Sequence, residues 1–511
     1  MPAMWLNEVQ RHPTSFPAVS VALALGVPIG VMVAILLAQA PLVWTFLLFV
    51  AVLGLVPAFV VREPGLYWLS LFLLASIVDI KKTLLDGLEV MDTLGLIAVT
   101  PTSQLVPEIR LSDLVLGLLL LSWMVRLARH RASLHFPRFS LIFVAFLIWS
   151  AISSLQAEHP YLGFVEWTNQ FRYFVIFLYA VNNIKGQRML TVIGCVLLAV
   201  LALQATATAT RYTFGFGLVA AGAFGRADAV DTSEHLNVVR GGGGKRAFGT
   251  VPSPRGTAGH LLLLLPWAPL VALHYRRRWL SVLCFGLFAA GTAALILTYS
   301  RAALIGYMVG VVIGSLLSVR WGYVSRRGFA LCILTAVLTA VAVSPLAVSF
   351  INKRPDNVRV RLAQFRTTFD MIKDNLIIGV GPNNSASTQR RYKRDGTSGA
   401  AVTDATKVSD LHPIHSQHLM NLAETGLVGF ALYTGFFFIV FRRANRLTHS
   451  PVALTRLAGG GLLIGGIALA VQFLADPIFE HSIFALLWFL CGVVWMLGEP
   501  REFSTRTRAA A

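Results

Sequence analysis

Apolar stretches close to the length of a bilayer crossing recur from the first fifty residues of this 511-residue chain to its last thirty. A helix needs about 20 apolar residues to traverse about 30 Å of hydrocarbon. About fourteen stretches approach that length: Phe16–Ala40, Leu42–Val61, Gly65–Ile80, Leu111–Leu127, Phe139–Leu155, Phe171–Ile184, Met189–Thr208, Gly256–Leu273, Leu280–Thr298, Ala302–Val319, Gly328–Phe350, Leu419–Phe441, Leu457–Ala475 and Ser482–Leu497. With 56% of residues hydrophobic and 13% charged, the chain holds more apolar surface than a soluble core of its size can hide. The expected fold is an all-α polytopic integral membrane protein with about 12–14 transmembrane helices.

Lysine and arginine in the short loops set orientation. Counted from a cytoplasmic N terminus, alternate loops collect RLARHR (Arg126–Arg131), Lys185 with Arg188, HYRRR (His274–Arg278), RWGYVSRR (Arg320–Arg327), FRRANR (Phe441–Arg446) and the tail REFSTRTR. Both termini are then cytoplasmic. The excess of 43 Lys and Arg over 24 Asp and Glu, net +19, reads as topology signal and attraction to anionic membrane lipids, with no nucleic-acid partner. Cys195, Cys284, Cys332 and Cys491 all fall inside apolar spans and indicate neither a disulfide nor a metal cage. The first apolar run has no A-x-A-like cleavage site behind it and is expected to remain as a span. The chain is expected to have four parts: residues 1–138, helices and an outer loop; 139–350, central helices with an outer loop at 211–255; 351–418, the largest outer loop; 419–511, the last helices and a cytoplasmic tail.

Segments Asp79–Arg110, Gln156–Gln170, Arg211–Arg255 and Ile351–His415 fall on the non-cytoplasmic side, and the last carries eleven Lys and Arg against six Asp. A basic excess facing outward points to an anionic ligand. Within that loop DNVRVRLAQFRTTFDMIKD reads as an amphipathic helix with Leu362, Phe365, Phe369 and Ile372 at helical spacing. Arg359, Arg366 and Lys373 share one side, and Arg361 sits nearer the apolar border. Either these bases snorkel to lipid headgroups or they bind a ligand. GVGPNN, Gly379–Asn384, then turns the chain.

GGGGKR before Phe248 is not a P-loop, because Val239 stands where the first glycine belongs and Arg246 follows Lys245. It delivers Lys245, Arg246 and Arg255 to the membrane edge. Arg301, in LTYSRAALIGYMVG, sits between two spans joined by almost no loop and needs an anion, a carbonyl or a structural carboxylate there. Arg172, after Glu166, has a similar position.

His412, His415 and His418 run into a span that carries Glu424. Three roles are open: metal ligation, for which Asp410 and the Glu480–His481 pair are the only further donors; capping of the span; and a neutral imidazole acting as general base, with Glu424 orienting it.

RAFGTVPSPRGTAGHLLLLLP (Arg246–Pro266), YSRAALIG (Tyr299–Gly306), RLAQFRTTFDMIKDNLIIGVGPNN (Arg361–Asn384) and IHSQHLMNLAETGLVGFALY (Ile414–Tyr433) occur in an order that resembles the O-antigen ligase and O-antigen polymerase superfamily. In that family the last segment usually reads His-Asn; His415-Ser416 keeps the histidine and lacks the amide. The resemblance implies a GT-C-like, inverting, metal-independent glycosyltransferase without cofactor, serving lipopolysaccharide or exopolysaccharide biosynthesis. It would sit in the bacterial inner membrane with its active site at the periplasmic face. The donor would be a glycan on undecaprenyl diphosphate and the acceptor a glycan, lipid A core or protein. His415 would take the acceptor proton. Arg246 and Arg301 match the family's arginine positions, with Arg255 and Arg361 as further diphosphate ligands and Glu424 and Arg172 in support. A lipid-linked oligosaccharide flippase is the alternative; it predicts two related halves, and no internal repeat is visible. A scaffold without enzymatic activity would leave the basic outer loops without a task.

Overall fold

A computed structural model describes residues 64–77, 81–83, 107–129, 134–214, 246–251, 253–275, 277–325, 355–392 and 414–498. The expected spans Phe16–Ala40, Leu42–Val61 and Gly328–Phe350 lie outside these residues, as do His412, Asp410 and Lys245. The chain divides between Tyr67 and Trp68. Of the first unit only the opening of one helix is described; every other described element belongs to the second.

The described helices are α1 (Pro64–Ala75), α2 (Leu111–Ala128), α3 (Leu141–Leu155), α4 (Pro160–Asn183), α5 (Gly186–Phe214), α6 (Pro254–Leu264), α7 (Trp267–Tyr275), α8 (Arg278–Leu297), α9 (Arg301–Arg320), α10 (Pro355–Asp374), α11 (Ser385–Tyr392), α12 (Gln417–Leu447), α13 (Ala453–Phe473) and α14 (His481–Leu497). Strands β1 (Lys81–Thr83) and β2 (Glu108–Arg110) form a short antiparallel ladder with Lys81 opposite Arg110. Among the described residues eight helical segments are long and apolar enough to cross a membrane, and Gly65–Ala75 and His481–Leu497 are shorter apolar helices. The chain is thus an all-α polytopic membrane protein.

Several expected boundaries move. The span near Gly256–Leu273 is two helices, α6 and α7, parted at Leu265–Pro266. Gln156–Gln170 is not a loop: after a turn at 156–159, α4 opens with Pro160 in its first turn and runs on through Glu166, Gln170 and Arg172. Polar residues hid this helix from a search for apolar runs. Similarly, α5 continues through Phe214, past the expected loop start at Arg211.

Small residues let the helices approach. A Cβ on Gly306 of α9 would lie 2.3 Å from the Ala468 carbonyl oxygen of α13, so only glycine permits that crossing. Between α3, α4, α12 and α14 the interlock is aromatic: Phe143 lies 4.4 Å from Trp488 and Phe436 lies 4.8 Å from it, centroid to centroid.

The amphipathic helix expected in the large loop is α10, but its buried face is turned. Met371 and Ile372 pack with Val380, Ile414, Met420 and Ala423, while Phe369 is 50% exposed. Contact with the first turns of α12, rather than the apolar stripe alone, sets which side is covered.

That contact also explains α12. Gly426 has φ 66° and ψ −175°, which breaks the helix into Gln417–Thr425 and Leu427–Leu447. The carbonyls freed by the break are satisfied from neighbours: Val380 N–H donates to Ala423 O (3.0 Å), Gly381 N–H to Glu424 O (2.9 Å) and Trp149 Nε1–H to Thr425 O (2.9 Å). Reciprocally, Leu427 N–H donates to Leu376 O at 2.7 Å. The turn expected at GVGPNN therefore passes through a notch in α12. A Cβ on Gly426 would stand 2.1 Å from Ile377 O, so this crossing requires glycine on both counts, space and positive φ.

Candidate active site

Helices α6 and α9 each begin with an arginine in the first turn and no acidic residue there, as do α5 with Arg188 and α8 with Arg278. In α6, Ser253 caps the N terminus by accepting from Gly256 N–H (2.9 Å), and Arg255 follows Pro254. In α9, Ser300 caps by accepting from Ala303 N–H (3.4 Å), and Arg301, exposed, is the first helical residue. A helix N terminus already carries partial positive charge, so a cation there is unfavourable unless an anion joins it. Tyr299, at φ 50°, makes the turn between α8 and α9 tight enough to place Ser300 and Arg301 directly after α8.

Asp476 connects the two N termini. Its Oδ1 lies 3.5 Å from Arg255 Nε, and its Oδ2 accepts from Ser300 Oγ at 3.1 Å. Gln472 Nε2–H, from the last turn of α13, donates to Arg255 O at 3.1 Å. Arg246 comes to the same turn from the other direction: its Nε–H donates to Thr298 O (3.1 Å) at the end of α8, where a cation suits the helix dipole.

The short link between α13 and α14 that holds Asp476 also holds the start of α12. Ser416 caps α12, accepting from Leu419 N–H and donating to Phe473 O, both at 3.3 Å. Gln417 Oε1 accepts from Ile478 N–H at 3.1 Å. His415, half-buried, immediately precedes that cap. The departure from His-Asn thus has a structural content: serine and asparagine are equally good N-caps, and Ser416 fills that role here. His418 points elsewhere, its Nε2 lying 3.1 Å from Ala470 O of α13.

The structure therefore brings Arg246, Arg255, Arg301 and His415 onto one set of helix ends, joined through Asp476 and its link. Asp476 does not stand out in the sequence. Its only local signal is that of one of two carboxylates, with Glu480, in a short link between two spans, at the same end as the histidines.

The remaining candidates lie apart. Arg361 is within α10, but its side chain falls outside the described residues. Arg172 is committed to Asp113, with Nη1 3.0 Å from Oδ2, and also bonds Asn169 Oδ1. Glu424, 6% exposed, is the last but one residue before the α12 break. Its Oε1 accepts from Ser385 Oγ at 2.7 Å, and backbone N–H groups at Asn383 and Ser385 also face it. Glu424 helps line an internal cavity of about 60 Å³ with Glu166, Gln170, Tyr173, Asn421 and His481. Tyr173 Oη meets His481 Nδ1 across its wall.

Residues 285–434, which hold α9, α10, α11 and the first half of α12, match a family model described as O-antigen ligase. Over this segment the chain is similar to the O-antigen ligase family. The match contains Arg301, Arg361, His415 and Glu424, and it supports the O-antigen ligase and polymerase superfamily, glycosyltransferase-like enzymes of polysaccharide biosynthesis in the bacterial inner membrane. Arg246, Arg255, Arg172 and Asp476 fall outside the matched ligase segment. A comparison with curated proteins found no match.

Proposed function

We propose that this ligase-family protein transfers a glycan from undecaprenyl diphosphate to an acceptor hydroxyl, with inversion and without a metal or other cofactor. The observation that carries the proposal is the convergence of two arginine-bearing helix N termini beside the cap that follows His415. The acceptor oxygen attacks the anomeric carbon as its proton passes to His415, and the bond from that carbon to the diphosphate oxygen breaks. Negative charge then develops on the diphosphate. Arg255 and Arg301, with the free N–H groups of their first turns, and Arg246 supply fixed positive charge where it develops. Planar guanidinium forks meet paired phosphate oxygens without a metal ion. By the distribution of Lys and Arg, this end of the bundle is periplasmic and both termini are cytoplasmic, so the polyprenyl tail would lie among membrane lipids. The acceptor is another glycan chain, lipid A core or a protein.

The test is glycan analysis of the host lacking this gene, complemented at matched protein levels with wild type or with His415→Ala. Wild type is expected to restore the normal glycan and His415→Ala to leave the defect. Single repeat units accumulating on the carrier in the mutant would identify a polymerase; long chains stranded there would identify a ligase. A normal glycan with His415→Ala would remove His415 from the chemistry.

A further inference from the structure

A second polar cavity, of about 720 Å³, opens on the other side of the α12 notch. That volume is within the range of about 300–1,000 Å³ over which small-molecule sites occur. Its walls are the end of α10, the crossing loop, α11 and the turn before α4. Gln156, Glu158, Asp374, Asn375, Arg391 and Tyr392 supply most of its polar groups. Arg391 Nη2 lies 3.1 Å from Glu158 Oε1, and Asn375 Nδ2–H donates to Tyr392 Oη at 3.1 Å. Leu376 and Ile377, 48% and 63% exposed, add apolar surface between them.

Three features define what fits. Charge is balanced, Lys373 and Arg391 against Glu158 and Asp374, so this cavity lacks the single sign a diphosphate needs. Planar amide, carboxylate and guanidinium groups alternate with apolar patches and one phenol, which suits a ligand with hydroxyls on its edge and C–H groups on its faces. Thr388, 6% exposed on the wall, has a buried Oγ1 with no hydrogen-bond partner, and a buried hydroxyl left so is costly unless a ligand or water completes it. Position adds to this. The floor at Val380 bonds Ala423 of α12, and the seven-residue rise from Gln417 to Glu424 is about 10 Å at 1.5 Å per residue. The cavity thus stands a few sugar lengths along α12 from the cap beside His415.

We infer that this cavity is a saccharide subsite, holding sugar units of the glycan that do not react while the reacting end lies at His415. The inference rests on the proposed glycosyl transfer and names where part of the substrate's binding energy is applied, remote from the bond being made. The glycan held there comes either from the donor or from the acceptor; the chemistry recognised is the same.

The experiment uses the full chain in lipid nanodiscs and two probes: oligosaccharides released from the host's carrier lipid, free of diphosphate, and oligosaccharides released from its finished polysaccharide or core. Saturation-transfer NMR and titration read binding. One probe is expected to bind both wild type and His415→Ala, and the binding source shows whether donor or acceptor occupies the subsite. Thr388→Val and Arg391→Ala are each expected to weaken binding by about tenfold, as loss of one hydrogen-bonding group predicts. Arg391 is 67% exposed on its side chain, so its removal leaves folding intact. Unchanged binding in both variants, or no binding of either probe to wild type, overturns the subsite. Turnover of the lipid-linked donor is measured in parallel. A protein that turns over but binds neither oligosaccharide loses the subsite and keeps the reaction, and one that binds without turnover does the reverse.

Discussion

Arg255 and Arg301 stand at helix N termini, where the backbone adds partial positive charge to their own; Glu166 and Glu424 stand around a small cavity, where the surroundings supply hydrogen-bond donors. Both arrangements concentrate one sign of charge. They differ in what completes them. Glu424 has Ser385 Oγ and two backbone N–H groups, and Glu166 accepts from Asn169 Nδ2 at 3.2 Å, so the acids are satisfied within the chain. At the arginine pole Asp476 is shared between Arg255 and Ser300, the Glu480 carboxylate lies against Gly256 of α6, and Arg301 is exposed. Positive charge is left over at one place and negative charge is tied down at the other. The contrast teaches that ionisable residues in a membrane protein are not equivalent evidence of a site: the pole open to an anion is the functional candidate, while Glu424 ties α11 to the α12 notch and Glu166 is bonded within α4.

Arg301→Lys should break this contrast most severely. Lysine keeps the charge at the start of α9 but loses the planar fork, and loss of a donor aimed at developing charge reduces turnover by about a hundredfold. Turnover of lipid-linked donor by purified protein, with accumulation checked by quantitative blotting, measures it. Near-normal turnover would take Arg301 out of the diphosphate site.

The next effect in size belongs to Asp476→Asn. Asparagine can still accept from Ser300 Oγ, so the cap on α9 survives, while the carboxylate that orients Arg255 is lost. Turnover is expected to fall by about tenfold, equivalent to about 1.4 kcal/mol. Asp476→Glu should recover part of it, because the charge returns in a slightly different place. If Asp476 positions Arg255, that partial rescue is the expected signature. Equal loss in both variants, accompanied by a lower thermal midpoint, would mean that it only holds the fold.

Much of this architecture was legible in the sequence, for reasons that can be named. Crossing helices announce themselves because the bilayer demands a long apolar run, and α10 and the Gly379–Asn384 turn were legible from spacing and glycine. The positions of His415 and Arg301 beside helix starts were legible because polar residues next to spans are conspicuous. The α12 break was not. An isolated glycine in LAETGLVG is tolerated in a helix, and only the crossing loop, with Gly379 close against the Glu424 backbone, makes Gly426 non-helical. Asp476 was equally hidden, since its meaning comes from Arg255 and Ser300, 221 and 176 residues away in the chain. The length of α4 was missed because Glu166, Gln170 and Arg172 interrupt its apolar residues, the first two lining the cavity. Local pattern carries what the solvent imposes, and it loses what partners distant in sequence impose.

Glu424→Gln has the smallest expected effect and separates the two regions most directly. The amide oxygen still accepts from Ser385 Oγ, so the bond between α11 and α12 is kept and only the charge is removed. If Glu424 serves the notch, accumulation and thermal midpoint should match wild type and turnover should stay within about threefold, because a net hydrogen bond is worth about 1 kcal/mol and most of this set remains. If Glu424 instead orients or tunes His415, removing its charge should reduce turnover at least as far as Asp476→Asn does, without a change in stability. Measured side by side, the two variants rank the carboxylates: a larger loss at Asp476 assigns the chemistry to the arginine pole, and a larger loss at Glu424 moves it into the acid-lined cavity.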